Sequence, residues 1–167
     1  FGHSGANITD IEIGQSSDDA QGYRNKGKYP MLLGNGCSLG DVYSGKLTQA
    51  EDWVFTAERG CIAWLANTSL GFAANLNNYS NRFYSNAFAS NTYFGSSLGI
   101  INQQVCRSYG TSVSPNLDLA HFQQMALQGD PAIKLHSGNA PDFYTQNSWL
   151  SLEGFNNTPI TARADSL

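Results

Sequence analysis

The sequence is short of charged residues. Asp, Glu, Lys and Arg make up 13% of the 167 residues, about half of the roughly 25% that is typical of soluble proteins. The formal net charge is −4, and the nine Lys and Arg residues are scattered without forming a basic run. A basic patch is the electrostatic footprint of a nucleic-acid-binding protein, so we predict no nucleic-acid partner.

Long apolar runs and cysteines are also scarce. The longest uninterrupted apolar stretch, residues 61–66, is far shorter than the roughly 18 residues that span a bilayer. The three cysteines, Cys37, Cys61 and Cys106, are too few for a disulfide framework, so at least one thiol is expected to be free. No cysteine or histidine pair has the close spacing of a zinc site. A Cys/His metal site is therefore the least favoured interpretation.

Apolar residues, by contrast, are sufficient for one domain, at 41% of the chain. Residues 29–35 and residues 61–66 are short apolar runs that are typical of buried strands. Between them, Thr48 followed by Glu51 matches a capping box, and apolar residues then recur at helical spacing up to Gly60. A strand–helix–strand unit of this length suits a parallel crossover. We therefore predict an α/β fold with a mostly parallel sheet flanked by helices.

Further elements can be predicted on either side of this unit. Residues 6–28 are rich in Asp, Ser, Gly and Asn, which predicts a long surface loop. Apolar spacing predicts helices over residues 76–88 and 98–105. It predicts another over residues 117–128, ended by a glycine and a proline, and then a brief strand at residues 132–135.

The two ends of the chain differ from its middle. Phe1 to Gly5 read like the end of a strand that runs into a loop, so we expect residues 1–136 to be the C-terminal part of a larger domain. Beyond residue 136, prolines and glycines interrupt irregular sequence, and residues 160–167 alternate like a strand. We therefore interpret residues 137–167 as a linker and the first strand of a following β-rich domain.

A cysteine and a histidine fall where this fold gathers its functional groups. Cys37 follows the first predicted strand, and His3 lies in a glycine-rich loop; sites in open parallel sheets lie beyond the carboxyl ends of strands. An imidazole can take the proton of a thiol and later protonate a leaving amine, and the nearby glycines would let backbone N–H groups face an oxyanion. The pair is the minimum set for catalysis by a nucleophilic thiol, and its spacing alone leaves two interpretations open. The alternative is that Cys37 is a small buried filler and His3 a hydrogen-bonded loop residue.

Several segments carry a family resemblance, in this order along the chain: Gly2-His3-Ser4-Gly5, residues 30–40 (PMLLGNGCSLG), residues 50–53 (AEDW), residues 60–63 (GCIA), and a helix from His121 that leads to Gly-Asp-Pro-Ala at residues 129–132. Together they resemble the gingipain-type cysteine peptidases of family C25, and most closely their relatives known as sortases of the bacterial type IX secretion system. The resemblance runs from residue 1 to about residue 136. In those relatives, a segment similar to residues 159–167 opens a β-sandwich domain.

The resemblance implies roles for individual residues. Cys37 corresponds to the nucleophile and His3 to the general acid/base, while the backbone N–H groups of Cys37 and Ser4 correspond to the oxyanion hole. The family usually has glycine where this chain has Ser4, so the second donor depends on the loop keeping its conformation. The loop after the second strand helps to wall the specificity pocket of gingipains. Its counterparts here are Asn67, Thr68 and Phe72. Phe72 is the candidate pocket wall, and the alternative is that it is an ordinary core aromatic residue.

The resemblance also implies a function and its partners. The function is that of a cysteine endopeptidase or sortase-like transpeptidase, which acts on secreted proteins through a thioester acyl-enzyme. The location is the periplasm, the bacterial cell surface or the secreted fraction, in association with the outer membrane. The implied partners are a polypeptide substrate, the preceding N-terminal half of the same domain and outer-membrane secretion components. The alternative is an inactive homologue that serves as a scaffold in a secretion complex, which Ser4 favours.

The remaining polar residues that stand out have more modest interpretations. No organic cofactor is implied, but structural calcium occurs in gingipain-like domains, and Asp18, Asp19 and Asn25 could supply oxygen ligands. Asp130 is interpreted as a turn former before a proline. His121 and His136 are interpreted as packing or surface residues.

Overall fold

The computed structural model describes residues 2–6, 8–9, 13–45, 47–108, 115–135, 143–144 and 165–166. The chain divides into two compact units, Phe1–Leu135 and His136–Leu167. Among the described residues, every helix is too short or too polar to cross a membrane.

Among its described residues, the first unit contains short strands and four α-helices. Its strands are β1 (Ser4–Gly5), β2 (Ile8–Thr9), β3 (Met31–Gly34), β4 (Ala63–Asn67) and β5 (Met125–Gly129). Its helices are α1 (Gln49–Phe55), α2 (Ala73–Tyr84), α3 (Leu98–Arg107) and α4 (Pro115–Gln124), with a 3-10 turn at Asp19–Gln21 and a π-helical turn at Ser85–Ala89. The helices predicted over residues 76–88 and 98–105 are confirmed.

The predicted strand–helix–strand unit is also confirmed. β3 and β4 pair in parallel, with Met31 opposite Ala63, and α1 lies in the crossover between them. The capping box that begins α1 is present: the Thr48 side chain accepts from the Glu51 amide, and the Glu51 carboxylate accepts from the Thr48 amide at 2.7 Å. α1 ends at Phe55, several residues before the glycine at which the sequence predicted its end.

The central strand β4 is buried along its whole length, because helices cover both faces of the sheet. Ala63 and Leu65 face a core built with α2, α3 and α4. Trp64 and Ala66 face a second core that includes Trp53 of α1. A strand buried on both faces reads as a continuous apolar run, which is the pattern that residues 61–66 show. The loop that follows β4 therefore begins from a strand that is buried on both faces.

The prediction for residues 125–135 is wrong in two respects. α4 ends at Gln124, and Met125–Gly129 forms β5, antiparallel to β4 with Asn67 opposite Met125. Residues 132–135 contribute only an isolated bridge, between Ser97 and Lys134. The segment has apolar spacing and good helix formers. Its local preference for a helix is outweighed by pairing with the edge of β4 that β3 leaves unpaired. Secondary structure here is decided by a partner about 60 residues away in the sequence.

The described part of the second unit is a pair of short strands. β6 (Phe143–Tyr144) and β7 (Asp165–Ser166) pair antiparallel. Of the strand predicted at residues 160–167, the structure describes only residues 165 and 166. The β-sandwich domain stays a prediction.

Candidate active site

Three segments of the chain meet at one end of the sheet, beyond the carboxyl ends of β3 and β4. Because β3 and β4 are parallel, the loops that follow Gly34 and Asn67 leave the same edge. β5 runs the other way, so the end of α4 that precedes it arrives there too. Backbone hydrogen bonds join the three segments: Gly40 donates to the carbonyl of Asn67, and Thr68 donates to the carbonyl of Gln124, each at 2.9 Å.

Cys37 is half-buried in the first of these loops. Its sulfur lies beside the backbone of Gly71 in the second loop. The Sγ atom lies 3.8 Å from the carbonyl oxygen of Gly71, to which a thiol can donate. The backbone N–H of Gly71 lies 3.4 Å from the same sulfur and can donate to it. A thiolate is a better acceptor than a thiol. Gly71 therefore offers a partner to either protonation state of Cys37.

The turn after Cys37 is tight. Ser38 has a φ of 54°, in the left-handed region that non-glycine residues rarely adopt. Its amide donates to the carbonyl of Ser69 at 2.8 Å, which ties the turn to the 68–72 loop (residues 68–72). Strained backbone of this kind is maintained only where the surroundings over-determine it, and it clusters at functional sites.

The loop that carries His3 contacts the Cys37 loop on both sides of the histidine. Gly2 donates a backbone hydrogen bond to Asn35 at 3.2 Å, and the Ser4 hydroxyl donates to the Cys37 carbonyl at 2.9 Å. The imidazole-bearing residue itself is exposed. Gly36 makes this approach possible, since a Cβ atom there would clash with the Ser4 hydroxyl.

The residues matched to the pocket wall have different environments. Asn67 is fully buried, and its amide nitrogen donates to the Ser69 carbonyl at 2.9 Å, so it supports the 68–72 loop from within. Thr68 is half-buried and is joined to α4 through its backbone. Phe72 is 59% exposed. Of the three, Phe72 presents the largest apolar surface to solvent.

Comparison with known proteins decides the classification. Residues 1–136 match the model of peptidase family C25. The chain belongs to family C25. A solved structure of gingipain R, an Arg-specific cysteine proteinase, matches it with a TM-score of 0.67 and 13% identity, over 87% of this chain and 34% of that chain. The structure of a protease matches with a TM-score of 0.61 and 13% identity, over 90% of this chain and 39% of that one. No curated protein matches the sequence.

At this identity, the structural matches establish the fold, which is the caspase-like arrangement of gingipain. The C25 chain spans 34% and 39% of the length of the two solved chains. The likeness therefore concerns one part of those proteins.

Sequence reasoning missed the importance of His121. It is only 3% exposed, its Nε2 atom accepts from the Phe72 amide at 3.0 Å, and its ring lies 5.5 Å from the Phe72 ring. A histidine at a helical position in an apolar segment gives no sign of such a partner, because the contact joins segments 49 positions apart. Asp130 does form the predicted turn, accepting from the Ala132 amide at 2.8 Å. His136 lies outside the described residues.

The other two thiols of the C25 domain, Cys61 and Cys106, are poor nucleophiles near neutral pH. Burial raises the pKa of the Cys61 thiol to about 12, and burial also raises the pKa of Cys106. Both groups therefore carry little thiolate, the nucleophilic form, near neutral pH.

The residues considered for calcium already have protein partners. Asp18 caps the 3-10 turn through the Ala20 amide at 2.9 Å, Asp19 pairs with Arg59 at 2.8 Å, and Asn25 bonds the backbone of Gly60. The part of the chain that the structure describes holds no cluster of three or more His, Cys, Asp or Glu side chains suited to a metal ion. The calcium hypothesis stays an untested prediction.

Proposed function

We propose that this C25 domain is the catalytic part of a cysteine peptidase in which Cys37 is the nucleophile and His3 is the general acid/base. The observation that carries the proposal is the double contact between their loops, Gly2 to Asn35 and Ser4 to Cys37. Both contacts lie beyond the carboxyl ends of parallel strands, where α/β folds gather reacting groups.

The chemistry follows from these groups. His3 takes the proton of the Cys37 thiol, and the sulfur attacks the scissile carbonyl to form a tetrahedral oxyanion. The backbone N–H groups of Cys37 and Ser4 are the proposed donors to that oxyanion. As the intermediate collapses, His3 gives its proton to the departing amine and a thioester remains on Cys37. Water or a second amine then attacks the thioester and regenerates the thiol.

Phe72 is proposed as one wall of the pocket for the substrate side chain. Its exposed ring follows Gly71, the residue that contacts the Cys37 sulfur. An exposed aromatic ring beside a nucleophile can bury apolar parts of a bound peptide. Replacing Phe72 with alanine should change the preference among substrate side chains and leave the reactivity of Cys37 toward a small alkylating agent unchanged.

The finer proposal is sortase-like transfer on secreted polypeptides at the outer membrane, with secretion components as partners. Its support is the resemblance of the ordered motifs to type IX sortases. Transfer differs from hydrolysis in which nucleophile resolves the thioester. An amine supplied in excess would be incorporated into the product by a transpeptidase, whereas a peptidase would release the free acid.

We further propose that other strands of the same domain pair with β3. Within the described sheet, whose order is β3-β4-β5, β3 has a neighbour on one side only. An unpaired strand edge is a ready surface for strand addition. The N-terminal half of the domain, in the same chain or as a partner chain, is the proposed source.

The test is labelling of the intact protein with a peptide-based thiol electrophile. We expect wild type to be labelled at Cys37, and both Cys37→Ala and His3→Ala to lose the labelling. Cys106→Ala is the matched control, since it removes a half-buried thiol away from the site and should label like wild type.

A second candidate function is that of a catalytically inactive scaffold. The observation that favours it is Ser4, whose side chain bonds the Cys37 carbonyl at the place where the family usually has glycine. A folded protein in which Cys37 stays inert would support the scaffold and contradict the peptidase. Labelling that persists in His3→Ala would contradict the dyad.

A further inference from the structure

The two ring nitrogens of His121 have different and complementary partners. Nδ1 lies 2.7 Å from the carbonyl oxygen of Leu117, one turn earlier in α4. A carbonyl oxygen only accepts, so Nδ1 must carry the proton. Nε2 lies 3.0 Å from the backbone nitrogen of Phe72, which only donates. The surroundings of the ring therefore specify the neutral tautomer with its proton on Nδ1.

His121 and Cys37 contact opposite ends of the same peptide group. The amide that His121 accepts from belongs to the peptide bond between Gly71 and Phe72. The carbonyl oxygen of that bond is the atom that faces the Cys37 sulfur at 3.8 Å. Because a trans peptide is planar, its N–H and C=O point in opposite directions. Holding the N–H toward His121 consequently turns the C=O toward the nucleophile.

The helix that carries His121 is itself fixed. Asp118, one turn before it, is 2% exposed and accepts from Asn75 at 2.6 Å and from Asn78 at 2.8 Å, both on α2. The last residue of α4, Gln124, accepts from the Thr68 amide. α4 thus holds both ends of the 68–72 loop, the first through Gln124 and the last through His121.

We propose that His121 is a positioning residue that orients the Gly71–Phe72 peptide against the Cys37 sulfur. This role rests on the proposed peptidase function, because it concerns the geometry of the same nucleophile. Without the acceptor at Nε2, the Phe72 N–H would be left unpaired, and the peptide could rotate and withdraw Gly71 from Cys37. The neutral, Nδ1-protonated ring is the form that prevents this rotation.

The test uses three variants of the intact protein. His121→Leu fills the buried position with an apolar side chain and removes the Nε2 acceptor. His121→Gln supplies a side-chain amide oxygen that can accept from the Phe72 N–H. Cys106→Ala is the matched control, since it alters a half-buried side chain on α3 without touching the 68–72 loop. We would measure the rates of Cys37 labelling by a peptide electrophile and by iodoacetamide, and hydrogen exchange at the Phe72 amide.

For His121→Leu we expect the ratio of the peptide-electrophile rate to the iodoacetamide rate to fall about tenfold, which corresponds to the loss of one buried hydrogen bond. Exchange at the Phe72 amide should speed up by a similar factor. His121→Gln should recover most of both quantities, and Cys106→Ala should leave both near wild type. Equal losses in all three variants would show a general packing role and overturn the proposal.

Failure of the proposed peptidase function would be seen separately. If Cys37 of wild type is no more reactive than in His3→Ala, the proposed peptidase function fails, and the positioning role is judged on hydrogen exchange at the Phe72 amide alone. If His121→Leu does not fold, the nitrogen-15 chemical shifts of the His121 ring in the wild type show which ring nitrogen carries the proton. A proton on Nδ1 is the expected result, and a proton on Nε2 would overturn the proposal.

Discussion

The Ser4 hydroxyl donates a 2.9 Å hydrogen bond to the carbonyl oxygen of Cys37. The residue at which the resemblance is imperfect is thus bonded to the residue that is proposed as the nucleophile. The bond ties the two loops of the candidate site together, and Gly36 lies beneath it because a side chain there would clash. The departure from glycine is therefore accommodated by a specific contact.

Gly36→Ala should separate the two loops. The new Cβ atom would collide with the Ser4 hydroxyl and lie 3.2 Å from the carbonyl oxygen of Gly2. We expect peptide-electrophile labelling of Cys37 to slow at least about tenfold, as overpacking by one methyl group commonly costs about 1–3 kcal/mol. Adding Ser4→Gly should recover part of the rate, since it removes the colliding atoms. A double variant as slow as the single one would refute this account.

Gly71→Ala should displace the 68–72 loop from Cys37, the proposed nucleophile. An added Cβ atom would lie 2.5 Å from Leu76 Cδ1 and 2.9 Å from Asn67 Nδ2. Both side chains are buried, so either they or the backbone of the loop must shift. We expect Cys37 labelling to slow about tenfold. The control is Gly27→Ala, where a Cβ meets nothing within 4 Å but φ is +74°. That change should destabilise the fold by about 1 kcal/mol without altering Cys37.

Thiol labelling should distinguish Cys37 from Cys61 by pH. Burial raises the pKa of Cys61 from 9.0 to about 12, so the folded protein holds this thiol protonated throughout the range between these values. Mass-spectrometric mapping after iodoacetamide treatment at pH 8 should find Cys37 modified and Cys61 intact. In urea, Cys61 should react with an ordinary pH dependence. Rapid modification of Cys61 in the folded state would mean that it is not buried.

Asp52→Ala should loosen the segment that precedes β3. Asp52 is 2% exposed, and its carboxylate accepts from the Ser16 hydroxyl at 3.0 Å and from the Ser17 amide at 3.1 Å. Removing a buried acceptor of this kind costs about 2 kcal/mol. We therefore expect proteolysis within residues 13–28 to accelerate about tenfold or more.

The matched control for this change is Glu58→Ala. Glu58 forms an ion pair with Lys26 in which both side chains are about 70% exposed, and such pairs contribute less than about 1 kcal/mol. Cleavage within residues 13–28 should stay near the wild-type rate in this variant. Similar acceleration in both variants would contradict the role of Asp52.

Parts of the fold with strong local signals were predictable. The capping box at Thr48 and Glu51 marks the start of α1, and the apolar run at residues 61–66 overlaps β4. These patterns act between neighbours in the chain, so they are visible without the fold. The same patterns place Cys37 just after a strand.

The end of α4 was not predictable in this way. Residues 125–129 have the composition of a helix but form β5, because β4 offers them an edge to pair with. The consequence for the site is direct, since the change from helix to strand at residue 125 brings the end of α4 beside the 68–72 loop.

By itself, the sequence determined the parallel strand–helix–strand unit, the place of Cys37 beyond its first strand, and the family motifs around His3. Only the tertiary structure decided that Ser4 bonds to Cys37, that Gly71 faces the sulfur and that His121 holds the Gly71–Phe72 peptide. The physical reason is distance along the chain. Periodicity and capping arise between residues a few positions apart, whereas these contacts join residues 33 to 49 positions apart and form only when the sheet brings its loops to one edge.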